Sequence, residues 1–322
     1  VFPKKSSVSI DFSDKILYNK LESYFLRRLY MKFSKMHGIG NDYIYVNCFE
    51  EKVDEPEKVS VIVSERRFGI GSDGLVLIMP SDKADFRMRI FNADGSEAMM
   101  CGNATRCIGK YVYDMGMTDK TEITLETNSG IKYLKLFVKD GKVDSVEVDM
   151  NKAILKPSDI PVDSDLDLFV DQPVMVDGKE YRITCVSMGN PHAVIFTENI
   201  DSLDLEKIGP SFENHKLFPN RINTEFIEVI DSHTLKMRVW ERGSGETFAC
   251  GTGTCAAVVA AVLNKICPLG EEVLVHLKGG DLRITYKEDG TVMMTGPATY
   301  VFEGTISDEF INNLKENVVC RQ

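Results

Sequence analysis

The chain has 322 residues, 43% hydrophobic and 27% charged, a globular balance long enough for two domains whose cores need no disulfide or metal staple. This excludes collagen-like, disordered and coiled-coil classes, and no run approaches the ~18 apolar residues of a membrane span. A net charge of −11 without a Lys/Arg-rich run excludes a nucleic-acid partner, and eight cysteines are too sparse for a disulfide scaffold, which predicts a reduced, cytoplasmic protein.

Residues 1–30 differ from the rest, with six basic residues against three acidic ones. Ile16, Leu17, Leu21, Tyr24, Phe25 and Leu29 fall near helical spacing, which predicts a short amphipathic helix. No secretory signal pattern is present, and the acidic residues argue against an organellar targeting peptide. The segment reads as an N-terminal extension outside the catalytic fold. A strand-like stretch begins at Met31. Gly69-Ile70-Gly71-Ser72-Asp73-Gly74 fits the dinucleotide fingerprint, but that motif needs a strand before it and a helix after it. Here Ser64-Glu65-Arg66-Arg67 precedes and an apolar, strand-like run at 75–79 follows, so the nucleotide reading fails. Further strands are predicted at 86–91 and 145–149, with a helix at 103–115 between them. The crossing between halves is placed near residue 150, followed by a stretch at 157–173 rich in Pro and Asp. Strands at 226–230 and 235–240 then lead to a helix at 253–266. Apolar on every face, this helix must be buried on all sides, and a curved sheet wrapped around it is the economical solution.

The two halves repeat each other. Adding 149 to Gly40, Asn41, Arg89, Glu97, Cys101, Gly102 and Thr105 gives Gly189, Asn190, Arg238, Glu246, Cys250, Gly251 and Thr254, with the same residue type at every pair. This predicts an internal duplication: an α+β protein of two pseudo-symmetric domains, each a curved, mainly antiparallel sheet around a central helix. Each half carries one Cys after a polar loop and before a Gly-containing helix start. A helix N-terminus can depress a thiol pKa, and its free N–H groups can hold a carboxylate. Two such sites facing one another suit inversion of a stereocentre, one sulfur removing a proton from one face and the other returning a proton from the opposite face.

The segment Met36-His37-Gly38-Ile39-Gly40-Asn41-Asp42, the two Cys loops (residues 93–107 and 241–255) and Met188-Gly189-Asn190-Pro191-His192 closely resemble the diaminopimelate epimerase family. The resemblance runs from about Met31 to about Gly304. It implies interconversion of L,L- and meso-diaminopimelate without pyridoxal phosphate or metal, in lysine and peptidoglycan precursor synthesis. It implies a homodimer and an active site in the interdomain cleft. The implied division is an extension at 1–30, a first domain at 31–150 and a second at 151–292, with the segment from 293 to 322 returning to the first through a strand near 293–302. Position by position, Cys101 and Cys250 become the acid/base pair, with Glu241 and His192 tuning the proton transfers. The backbone of Gly102-Asn103 and Gly251-Thr252 would hold the reacting carboxylate. Asn41 matches a substrate-binding position, and Asn92, Asn190, Asn223, Glu241 and Arg242 match those holding the distal end. Where some members carry Gln after the Asp of this Gly-Ile-Gly-x-Asp segment, the chain has Gly74, so no side-chain contact is assigned there.

The remaining cysteines, Cys48, Cys107, Cys185, Cys255, Cys267 and Cys320, read as small buried hydrophobes. Spacings of Cys-x5-Cys and Cys-x4-Cys do not match structural zinc sites. His37 reads as structural. Asn92 and Asn223 are otherwise simple turn or strand-end residues. Two rivals stand beside the epimerase reading. One is a proline or hydroxyproline racemase of the same fold, whose cyclic substrate would leave Glu241 and Arg242 without a distal ammonium and carboxylate. The other is a thiol redox or binding protein without turnover.

Overall fold

The computed structural model describes residues 30–312; the expectations for residues 1–29 and for Cys320 lie outside them. The first half runs β1 (Tyr30–Gly38), β2 (Asn41–Asn47), α1 (Pro56–Ser64), β3 (Gly74–Met79), β4 (Phe86–Asn92), β5 (Glu97–Ala98), α2 (Gly102–Asp114), β6 (Glu122–Thr127), β7 (Gly130–Lys139) and β8 (Lys142–Lys152). A connection containing β9 (Gln172–Val176) leads to β10 (Lys179–Ser187), β11 (Pro191–Phe196), α3 (Leu205–Glu213), β12 (Asn223–Asp231) and β13 (Thr234–Glu241). The second half continues through β14 (Gly245–Glu246), α4 (Gly251–Leu263), β15 (Glu272–Leu277), β16 (Gly280–Tyr286) and β17 (Thr291–Pro297), and β18 (Thr299–Ser307) follows.

The 149-residue offset reaches far beyond the motifs that reveal it. Added to the bounds of β1, α1 and α2, it gives the bounds of β10, α3 and α4. Pairing repeats as well. Parallel β2–β3 and antiparallel β3–β4 recur as β11–β12 and β12–β13, and parallel β4–β6 recurs as β13–β15. The other neighbours are antiparallel, so the sheet is mainly so. The arginine forks recur too. Arg89 Nε and Nη2 donate to Glu97 at 2.8 and 2.9 Å, and Arg238 Nε and Nη2 donate to Glu246 at 2.7 and 3.0 Å.

Burial explains the layering. In α4 only Thr252, Val262 and Leu263 escape complete enclosure, as an all-round apolar helix requires. One continuous core joins Ile108 and Val112 of α2 to Val258 and Ala261 of α4, with Met36, Val148 and Val275 from the strands around them. On the outer faces α1 packs Val59 and Val63 against Leu77 and Phe91, and α3 packs Phe212 against Phe226.

The halves meet along a seam. β8 and β17 pair antiparallel, with Met294 opposite Val148 and Pro297 opposite Ser145. The offset maps each of these two pairs onto the other, so the seam follows the pseudo-two-fold. The segment 293–302, expected as one strand, is two. Pro297 closes β17 with no amide hydrogen to continue a ladder. After Ala298, β18 lies antiparallel to β1, with Tyr30 opposite Ser307.

Candidate active site

Both cysteines are extended residues immediately before a helix: Cys101 at φ −139° before α2, Cys250 at φ −121° before α4. Glycine follows each, and the space around it is tight. A β-carbon on Gly251 would lie 3.2 Å from Met294 Sδ and 3.9 Å from Asn103 Oδ1, and one on Gly102 would meet Met294 Cε and Met150. The two helix starts therefore converge on Met294, bringing two sets of unpaired N–H groups to one place. Cys250 Sγ accepts from Gly253 N at 3.4 Å and lies 3.6 Å from Thr252 Oγ1. Cys101 Sγ donates to Asn41 Oδ1 at 3.4 Å, and the N–H groups of Asn103 and Ala104 face its sulfur.

Helix N-termini alone predict depressed thiol pKa values, but burial outweighs them. It pushes Cys101 above the ordinary thiol value against the N–H groups of Ala104 and Asn103 and the charge of Arg106. Cys250 is pushed well above it, by burial first and then by the carboxylates of Glu241 and Glu225. Glu241, raised by its own burial, accepts a hydrogen bond from Thr247 Oγ1 and has the Cys250 thiol beside it. The other described thiols are raised by burial as well, Cys48, Cys107 and Cys267 to about 11 and Cys255 to about 12, with Cys185 higher still.

The asparagines form two amide chains. In the first half Asn103 Nδ2 donates to Asn41 Oδ1 at 3.2 Å, and Asn41 Nδ2 donates to Asp73 Oδ2 at 2.8 Å. In the second half Asn190 Nδ2 donates to Thr252 Oγ1 at 3.2 Å, and Asn190 Oδ1 lies 3.0 Å from His192 Nε2. The other ring nitrogen of His192 lies 2.7 Å from Glu225 Oε1, and both side chains are fully buried. His192 is thus linked to Cys250 through Asn190 and Thr252 on one side and through Glu225 on the other. Asn223 is locked by backbone at both ends of its amide, donating to Pro191 O and accepting from Arg242 N, each at 3.0 Å. Asn92 donates to Ser96 Oγ at 3.0 Å. Arg242 Nη1 donates to Asn220 O, and its guanidinium has no carboxylate at ion-pair distance among the described residues. A cleft of about 1180 Å³ opens between the halves, lined by Gly40, Asn41 and Asn92 from one side and Glu241, Thr247 and Phe248 from the other.

Four residues not singled out in the sequence contribute. Asp73 anchors Asn41, and Arg66 Nη2 bonds Asp73 Oδ1 at 2.8 Å and Asp42 Oδ1 at 2.9 Å. Glu225 holds His192. Arg106, fully buried, donates from Nη2 to Asn103 Oδ1 at 2.7 Å. A signal for two of them lies in the duplication itself, since offset 149 pairs Glu225 with Val76 and Arg106 with Cys255, positions where the halves differ in charge. His37 Nδ1 accepts from Gly40 N at 3.2 Å. Gly74 is imposed by packing: any side chain there would run into the carbonyl of Phe91 and the ring of Tyr43. The segment from Gly69 to Gly74 follows α1 and enters β3, the reverse of the dinucleotide order.

Comparisons with known proteins agree with this geometry. The diaminopimelate epimerase family model matches residues 33–156 and 184–301. A diaminopimelate epimerase of Acetivibrio thermocellus is 63% identical over 277 residues, covering 86% of this chain and 98% of the relative. One of Agathobacter rectalis is 61% identical over 284 residues, with 86% and 99% covered. Among solved structures, a hydroxyproline epimerase from Agrobacterium vitis with bound trans-4-hydroxy-L-proline shares the fold at a TM-score of 0.64 and 14% identity, covering 87% of this chain and 92% of its own.

Proposed function

The chain belongs to the diaminopimelate epimerase family, and on that premise we propose that it interconverts L,L- and meso-diaminopimelate by two-thiol proton transfer at one α-carbon, for lysine and peptidoglycan precursor synthesis. The observation that carries this is the pair of cysteines capping two convergent, glycine-led helices. In one direction the Cys101 thiolate takes the α-proton, and the C–H electron pair moves toward the carboxylate. The Cys250 thiol then delivers its proton to the opposite face and is left as thiolate. The reverse direction exchanges the roles. The reacting carboxylate lies on the N–H groups of Gly102-Asn103 and Gly251-Thr252, where two helix dipoles stabilise the charge that develops. Glu241 and Arg242, with Asn41, Asn92, Asn190 and Asn223, position the rest of the substrate, and Arg242 makes a charge-assisted bond to the distal carboxylate. His192 sets the orientation of Asn190 and so acts on Cys250 indirectly.

The working bodies are residues 31–150 with the final strand, and residues 151–292, which close on substrate and expel water. The protein works in a reducing compartment, the cytoplasm, because both sulfurs must stay unoxidised; all seven described cysteines are free. A homodimer is favoured by the outer edge of β18, where Val301 and Phe302 are exposed. Sedimentation at micromolar concentration gives two chains per particle if that holds and one if it does not.

The deciding experiment incubates reduced protein with L,L-diaminopimelate in deuterated water beside Cys101→Ala and Cys250→Ala. α-Deuterated meso product that disappears in both variants is expected. Turnover of proline instead would move the chain to the racemase branch, and no turnover of either would favour the redox or binding reading.

A further inference from the structure

At the root of the Cys101 cradle lies a guanidinium with no carboxylate at ion-pair distance among the described residues. Arg106 stands one turn into α2 with none of its surface exposed. Nη2 donates to Asn103 Oδ1 at 2.7 Å, Nε donates to Pro297 O at 3.2 Å, and Nη1 lies 3.5 Å from Met294 Sδ. The ionisable groups acting on it most strongly are Cys107, Cys101, Cys255 and Tyr45. Two glycines make the slot. A β-carbon on Gly38 would lie 3.0 Å from Nη2, and one on Gly296 would lie 3.1 Å from Nε. Enclosing a cation this way costs several kcal/mol unless its bonds and field offset the lost hydration.

Those bonds lead to the sulfur. By taking Asn103 Oδ1, Arg106 turns the amide nitrogen of Asn103 toward Asn41 Oδ1, the same oxygen that receives the Cys101 thiol hydrogen. The duplicate half has no equivalent: its counterpart is the buried, neutral Cys255, and the charges around Cys250 are the carboxylates of Glu241 and Glu225. We infer that Arg106 is a positioning residue for Cys101, fixing the Asn103–Asn41 amide pair and supplying the positive charge that lets a thiolate form inside the closed cradle. When the proton leaves, the sulfur exchanges its bond to Asn41 Oδ1 for the N–H groups of Asn103 and Ala104, and the charge of Arg106 balances the one it gains.

The groups facing Cys101 are Arg106 and Cys107 from its own helix, Tyr43 and Tyr45 from β2, and Glu241 across the cleft. Only Arg106 among them carries positive charge, so its removal moves Cys101 in one direction. The inference rests on the acid/base reading of Cys101, but its test uses no diaminopimelate. Absent turnover by the unsubstituted chain would remove that reading while leaving this measurement intact.

The test is iodoacetamide alkylation of the reduced full chain across pH, followed peptide by peptide by mass spectrometry, for the unsubstituted protein and Arg106→Lys, Arg106→Gln and Arg106→Met. Two neutral variants are used because a buried ion replaced by an apolar chain of similar volume often folds well where a polar one does not; melting curves confirm the fold. Arg106→Lys should keep the profile of Cys101. In either folded neutral variant, Cys101 alkylation at neutral pH should fall about tenfold, a displacement of about one pH unit to the alkaline side. The acid limb of kcat/KM should move with it, and the Cys250 profile should stay nearer its original position. An unmoved Cys101 profile in a neutral variant, or an equal displacement of both cysteines, overturns the inference. So does an Arg106→Lys profile as displaced as that of Arg106→Gln.

Discussion

Cys101 and Cys250 occupy the same place in two copies of one structural unit, yet their surroundings diverge. At the 149-residue offset, Tyr43 faces His192, Val76 faces Glu225, Asn92 faces Glu241, Ala93 faces Arg242 and Arg106 faces Cys255. The strand order, the helix starts and the arginine forks are kept. In the reaction proposed above, what is kept serves a step symmetric about the α-carbon: a sulfur on each face and a helix end behind each sulfur. What differs serves a molecule that is not symmetric, with a distal ammonium and carboxylate on one side only. Beside Cys250 the second half holds the carboxylates of Glu241 and Glu225, and beside Cys101 the first half holds the buried guanidinium of Arg106.

The most severe break in this comparison is His192→Leu. It leaves the Glu225 carboxylate buried without its partner, and a loss of about 3–5 kcal/mol is expected, read as a lower denaturation midpoint. Glu225→Gln keeps a hydrogen-bonding side chain at that place and should lose less. Next is Arg242→Gln, expected to lower kcat/KM about 10- to 150-fold through the loss of one charge-assisted bond of roughly 1.5–3 kcal/mol. It should leave α-deuteration by saturating substrate less affected than binding, because the sulfurs are untouched.

The pH dependence sharpens the comparison further. Both thiols lie above the ordinary value, Cys250 more so, hence the empty protein holds them protonated at neutral pH. Catalysis needs one thiolate and one thiol, so kcat/KM should climb as pH rises from 7 toward the first ionisation of the pair. Iodoacetamide should label Cys101 before Cys250 throughout that climb; the reverse order would mean that Glu241 and Glu225 do not govern Cys250. The smallest effect concerns the forks. Arg238 also donates to the carbonyls of Ile200 and Leu203, and its side chain is 11% exposed against 30% for Arg89. Arg238→Ala should therefore cost about 1 kcal/mol more than Arg89→Ala in thermal unfolding.

Much of this was legible before any coordinates. The buried α4 follows from its uninterrupted apolar surface, and the two cysteine caps from the repeated loops. The duplication was visible across about sixty residues because glycines, cysteines and the fork residues recur by identity. Its full reach was not, since core positions of the two halves share only size and apolarity. Arg106 lies in the buried first part of α2, and composition alone makes such a residue look solvated. Its slot depends on Gly38 and Gly296, brought together only by the strands that carry them. Asp73 and Arg66 escaped because they act on Asn41 from a loop more than twenty residues away in the chain. The lowered thiol pKa expected at helix starts failed for a related reason, since enclosure is a property of the whole cleft.

The self-reciprocal seam between β8 and β17 bears on concentration. A strand whose register with its own counterpart maps onto itself is what an isologous two-fold contact requires. Two separate copies of such a half could meet by these same hydrogen bonds, but only as often as dilution allowed. Within one chain the partner edge is always at hand, its effective concentration set by the tether. The two half-sites therefore stay matched however scarce the protein becomes, and an edge open to foreign strands is permanently filled.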